Sequence, residues 1–153
     1  MKLSDILDEE NVIPELKAMD KKGVLEELAE AALSQQPSLD KNSLVRVLLE
    51  RERLGSTGIG DGVAIPHGKF PGLAQPTISF GRSLGGLDFD SMDGQPAFLF
   101  FLLVAPENSA SIHLKALAKI AKILKNGAFR KLLMQAPGKP ELYQTIIQND
   151  EEF

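Results

Sequence analysis

Cysteine is absent from this 153-residue chain, and histidine occurs only at positions 67 and 113. Without cysteine there can be no disulfide, no thiol nucleophile and no thiolate-ligated zinc, and a reducing compartment is the better fit. Long apolar runs are also lacking. The longest, Ala97 to Ala105, is less than half of the about 20 residues that a bilayer-crossing helix needs. The opening stretch, MKLSDILDEENVIPEL, sets acids where a secretory leader would need an unbroken apolar core. A cytoplasmic protein with no membrane insertion is expected. No basic stripe interleaves with aromatics, and 17 Lys and Arg stand against 21 Asp and Glu for a net charge of -4, so nucleic acid is not an expected partner. What remains is 43% hydrophobic and 25% charged, a composition that can bury a real core, and residues 1–153 read as a single domain without repeats or linkers.

The apolar spacing alternates between element types. Asp20 to Gln35 is helical through Val24, Leu25, Leu28, Ala29 and Ala32, and Pro37 stops it. Asp40 can cap a second helix in which Leu44, Val47, Leu48 and Arg51 recur at i, i+3, i+4 and i+7, putting Arg51 on the inward face while Arg46, Glu50 and Arg53 point elsewhere. Val63–Pro66 and Thr77–Arg82 read as strands, and Ala97–Ala105 as a strand buried on both faces, with a turn at Asp93-Gly94. Ser111–Lys125 reads as a helix with a solvated stripe of Lys115, Lys119 and Lys122 opposite His113, Leu117, Ile120 and Leu124. Asn126-Gly127 is expected to close it, and Glu141–Gln148 to form a last helix. The resulting fold class is α/β, a mixed sheet with helices on both faces.

Three side chains carry the chemistry. His67 stands between Pro66 and Gly68, one fixing a backbone dihedral and the other leaving space, so its ring is presented at set geometry. A neutral imidazole is a competent nucleophile near pH 7. Arg51 calls for an anionic partner, either a ligand or a carboxylate such as Asp61. His113, in the first turn of its helix, is either a satisfied core histidine or a second group facing an anion. The anion that suits Arg51 and His113 together is a phosphoryl group on His67, whose transfer needs positioning and charge stabilisation more than covalent machinery. A metal such as zinc held by His67, His113 and Asp61 is the competing reading, which Arg51 would oppose by repelling a cation. Gly58, Gly60 and Gly62 do not make a nucleotide cradle, because they precede a strand and no Lys-Ser/Thr pair follows. No cofactor is expected.

The passage Arg51-Glu52, Ser56-Thr57-Gly58-Ile59-Gly60 and Val63-Ala64-Ile65-Pro66-His67-Gly68, with His113 at the start of a helix after a buried strand, resembles the IIA phosphocarrier domains of the bacterial phosphotransferase system, in the fructose/mannitol branch. The resemblance implies that His67 carries the phosphoryl group on Nε2, that Arg51 and His113 stabilise it, and that Thr57 and Asp61 support the site. It also implies a histidine phosphocarrier protein as donor. The wording STGIGDGVAIPHGK is most similar to the nitrogen-related regulatory members, which makes regulatory target proteins the expected partners; the alternative is sugar transport, with phosphate passed to a separate IIB protein.

Overall fold

A computed structural model describes residues 1–150. Two single turns of 3-10 helix, Leu3–Asp5 and Glu9–Asn11, lead into β1 (Val12–Ile13). Then follow α1 (Lys21–Ala32), α2 (Lys41–Arg53), β2 (Gly58–Gly60), β3 (Val63–Ala64), β4 (His67–Lys69), β5 (Thr77–Leu87), β6 (Ala97–Ala105), α3 (Ala110–Leu124), α4 (Gly127–Gln135) and α5 (Lys139–Gln148). The strands form one mixed sheet in the order β1-β5-β6-β3-β2, with β4 also paired to β6. β5 and β6 run antiparallel, whereas β1 lies parallel to β5, and β3 and β4 lie parallel to β6.

β6 explains the layering. Successive side chains of a strand point to opposite faces. Phe100, Leu102 and Val104 enter a core with Leu25, Leu28 and Leu44 of α1 and α2, while Leu99, Phe101 and Leu103 enter another with Ile120, Phe129 and Ile146 of α3, α4 and α5. Helices thus cover both faces, as the alternating pattern predicts. Asp20 and Asp40 cap α1 and α2 through bonds accepted from the Gly23 and Asn42 amides.

Three sequence expectations are corrected. The strand expected at Val63–Pro66 is two strands: proline has no N–H to give the ladder, so pairing to β6 breaks after Ala64 and resumes at His67. Asn126 does not simply close a helix, because its side chain accepts from the Ala128 and Phe129 amides and starts α4, which the sequence reading lacks. Lys119 is buried, on a helix against which α4 packs, leaving Lys115 and Lys122 as the exposed lysines of the expected stripe. The Asp93-Gly94 turn is present, with Gly94 at φ +70° and its amide bonded to Ser91 O.

Candidate functional site

β4 carries His67 along the edge of β6, opposite Leu103, and α2 lies against β4. A Cβ on Gly68 would meet Val47 Cγ1 of α2 at 3.0 Å, so glycine at this position lets the helix that bears Arg51 pack close to the histidine. His67, Arg51, Ser56, Thr57, Ile59, Ile65, Met92 and Leu117 line a cleft of about 300 Å3. The His113 ring, from the first turn of α3, lies with its centroid 5.5 Å from that of His67 and tilted by 60°. The two histidines and Arg51 are therefore drawn from an edge strand, the end of one helix and the start of another.

The His67 tautomer follows from one hydrogen bond. Nδ1 lies 2.8 Å from Ile65 O, and since a carbonyl can only accept, Nδ1 holds the hydrogen and Nε2 of the neutral ring keeps its lone pair. Burial lowers the His67 pKa below its ordinary value, the bond to Ile65 O opposes that, Arg51 lowers it further and Glu52 raises it. His113 is likewise lowered, first by burial and then by His67 and Lys69. Both shifts favour the neutral ring near pH 7. His113 is 8% exposed, and its Nδ1 is buried without a hydrogen-bond partner. That leaves part of its polar capacity uncommitted.

Arg51 is only partly buried and its Nη1 donates to Gly55 O at 2.8 Å, at the mouth of the cleft. The buried charge on α2 is instead Glu52, which continues the stripe of Leu44 and Leu48 at four-residue spacing. Thr57 is buried, and its hydroxyl and amide both donate to the Glu52 carboxylate. Asp61 is not brought to the cleft. It adopts φ +57°, receives no bond from Arg51, and lines a different groove with Phe98, Arg130 and Met134. Neither the Arg51–Asp61 pair nor a His67, His113 and Asp61 ligand set is formed. Sequence reasoning missed Glu52 and the apolar rim of Ile59 (45% exposed) and Met92 (78% exposed). The Arg-Glu dipeptide was visible, but a buried acid is recognised only from the partners that fold around it.

A sequence model of the family described as phosphoenolpyruvate-dependent sugar phosphotransferase system, EIIA 2, matches residues 5–149. The chain is 42% identical over 146 residues to a nitrogen regulatory protein of Bradyrhizobium diazoefficiens, covering 95% of each. It is 34% identical over 151 residues to a fructose-specific EIIABC component of Bacillus subtilis, covering 99% of this chain and 24% of that protein. The crystal structure of the nitrogen regulatory protein IIA-Ntr from Neisseria meningitidis superposes with a TM-score of 0.87 at 35% identity, over 94% of this chain and 98% of that one.

Proposed function

The chain belongs to the EIIA 2 family of the phosphoenolpyruvate-dependent sugar phosphotransferase system, and from that premise we propose that it accepts a phosphoryl group on His67 Nε2 from a phosphorylated histidine phosphocarrier protein and acts mainly in regulation. The observation that carries the reading is the bond from His67 Nδ1 to Ile65 O, which commits one ring nitrogen and leaves the other as the nucleophile facing the cleft. Nε2 attacks the phosphorus in line, the donor histidine leaves, and the new phosphoramidate takes up Arg51 as counter-charge. The two rings stand close enough for a phosphoryl oxygen on His67 to be met by a neutral His113. The depressed pKa of His67 keeps the acceptor unprotonated at neutral pH.

A regulatory role is favoured by likeness along the whole length of nitrogen regulatory proteins. The sugar-transport alternative is supported by 34% identity to fructose-specific components. Phosphorylation adds negative charge beside the exposed Ile59 and Met92, and so changes which partners that face can bind. The test is intact mass after incubation with energy-coupling enzyme, histidine phosphocarrier and phosphoenolpyruvate. An acid-labile adduct of one phosphoryl group is expected on the parent and none on His67→Ala; equal labelling of the two would overturn the assignment. Onward transfer to a purified fructose IIB protein would favour transport over regulation.

A further inference from the structure

Glu52 is a buried carboxylate, its side chain 4% exposed, on an otherwise apolar stripe of α2. Packing alone does not call for an acid there, because an aliphatic side chain would avoid the desolvation cost. Its bonds show what it holds. Oε1 accepts from the Thr57 amide at 3.1 Å and from Lys21 Nζ at 3.1 Å, while Oε2 accepts from the Thr57 hydroxyl. Lys21 also lies 3.3 Å from Asp90 Oδ2 and 4.7 Å over the Phe89 ring. Ser56 Oγ donates to Phe89 O, and the Met92 amide donates to Gly58 O. The carboxylate thus joins the start of α1, the end of α2 and the loop that walls the cleft.

That loop continues to the acceptor. The Ile65 amide donates to Thr57 O at 3.0 Å, and Ile65 O in turn receives the Nδ1 hydrogen of His67 at 2.8 Å. Lys21, Glu52, Thr57, Ile65 and His67 form one continuous hydrogen-bonded path. We propose that Glu52 is a positioning residue for the phosphoryl acceptor: it clamps Thr57, Thr57 fixes the Ile65 peptide, and that peptide sets the tautomer and ring orientation of His67 before any donor docks. The proposal rests on the reading of His67 as acceptor. The groups around the His67 ring are Arg51 and Glu52 of α2 and His113 of α3, with Lys69 of β4 acting on His113. Of these Glu52 is the acid, and its charge favours the protonated ring.

The experiment compares Glu52→Gln with the parent in the full chain, following the His67 ring by NMR as pH is varied and measuring transfer from the phosphorylated histidine phosphocarrier. The expected result is a His67 protonation midpoint at lower pH than the parent's and a kcat about 10- to 100-fold lower with KM little changed, because donor docking is untouched while the acceptor is loosened. Thr57→Val, which keeps the carboxylate but removes a donor to it, should also slow transfer, and Thr57→Ser should recover most of the rate. A Glu52→Gln protein that only melts earlier, with His67 titration and transfer rate both at parent values, overturns the proposal. If that variant does not fold, Thr57→Val with parent-like His67 resonances and rate overturns it equally. Should the parent take up no phosphate, the acceptor reading fails and the His67 ring resonances of Thr57→Val, which keeps the Glu52 charge, alone decide: altered resonances uphold the clamp, parent-like ones remove it.

Discussion

His67 is buried enough for water to be partly stripped from its ring, yet it lines an open cleft, and both facts matter to its chemistry. Its folded-state pKa and that of His113 lie below the unfolded value of about 6.5. The unfolded chain therefore binds more protons as pH falls through that region, so the stability from burying neutral rings is complete above about pH 6.5 and is lost below it. The melting temperature of the parent should fall between pH 7 and pH 5 more steeply than that of a His67→Gln, His113→Gln double variant; parallel slopes in thermal scans would contradict the assignment. His113→Ala should slow phosphoryl transfer by roughly 10²–10³, the usual loss for one transition-state donor, and an unchanged rate would reduce His113 to packing. The scarcity of histidine singles out His67 and His113, whose rings the structure brings together, whereas the helical period puts Arg51 on the inward face of α2, where the structure buries Glu52 and leaves Arg51 partly exposed. Asp61 was misplaced because its left-handed backbone, which cannot be read from residue type, turns it toward another groove.

Elements were legible where the apolar period was long and capped at both ends. α1 and α2 start at the expected caps, although α1 ends at Ala32, short of the expected Gln35, and β6 matches Ala97–Ala105 at both ends. α4 was missed because the Asn-Gly pair before it is a helix-stop signal as well as a start signal, and only the chain's path decides which. In the structure Asn126 accepts from two amides at the start of α4. Asn126→Ala should therefore destabilise the protein by about 1 kcal/mol, measured by denaturant unfolding, whereas a residue that merely ended α3 would give a change near zero. The same reasoning applies to Pro66. It splits an apparent strand into β3 and β4, and at that break the Ile65 carbonyl meets the histidine ring rather than a neighbouring strand.

Across the whole molecule, the mixed sheet ties a cleft at one end to packing on both faces. Arg82 shows how far that tie reaches. It is 4% exposed on β5, and it donates to Pro14 O beside β1 and to Leu133 O and Ala136 O at the end of α4, holding the first strand and a late helix to the middle of the sheet. Arg82→Met would leave those carbonyls without a donor and should cost at least about 2 kcal/mol, read from chemical denaturation. Because Arg82 stands outside the cleft, transfer by the folded fraction should be unaffected. No helix among the described residues is long and apolar enough to cross a membrane. The fold places a strand-edge histidine and a helix-end arginine on one cleft and sets the ring of a helix-start histidine 5.5 Å from the first. The most direct measurement is a long-range proton–nitrogen NMR spectrum of the histidine rings after phosphorylation by the donor protein. Phosphorus attached to Nε2 of His67, with Nδ1 still protonated, is the predicted result; attachment at Nδ1 of that ring, or at His113, would contradict the account.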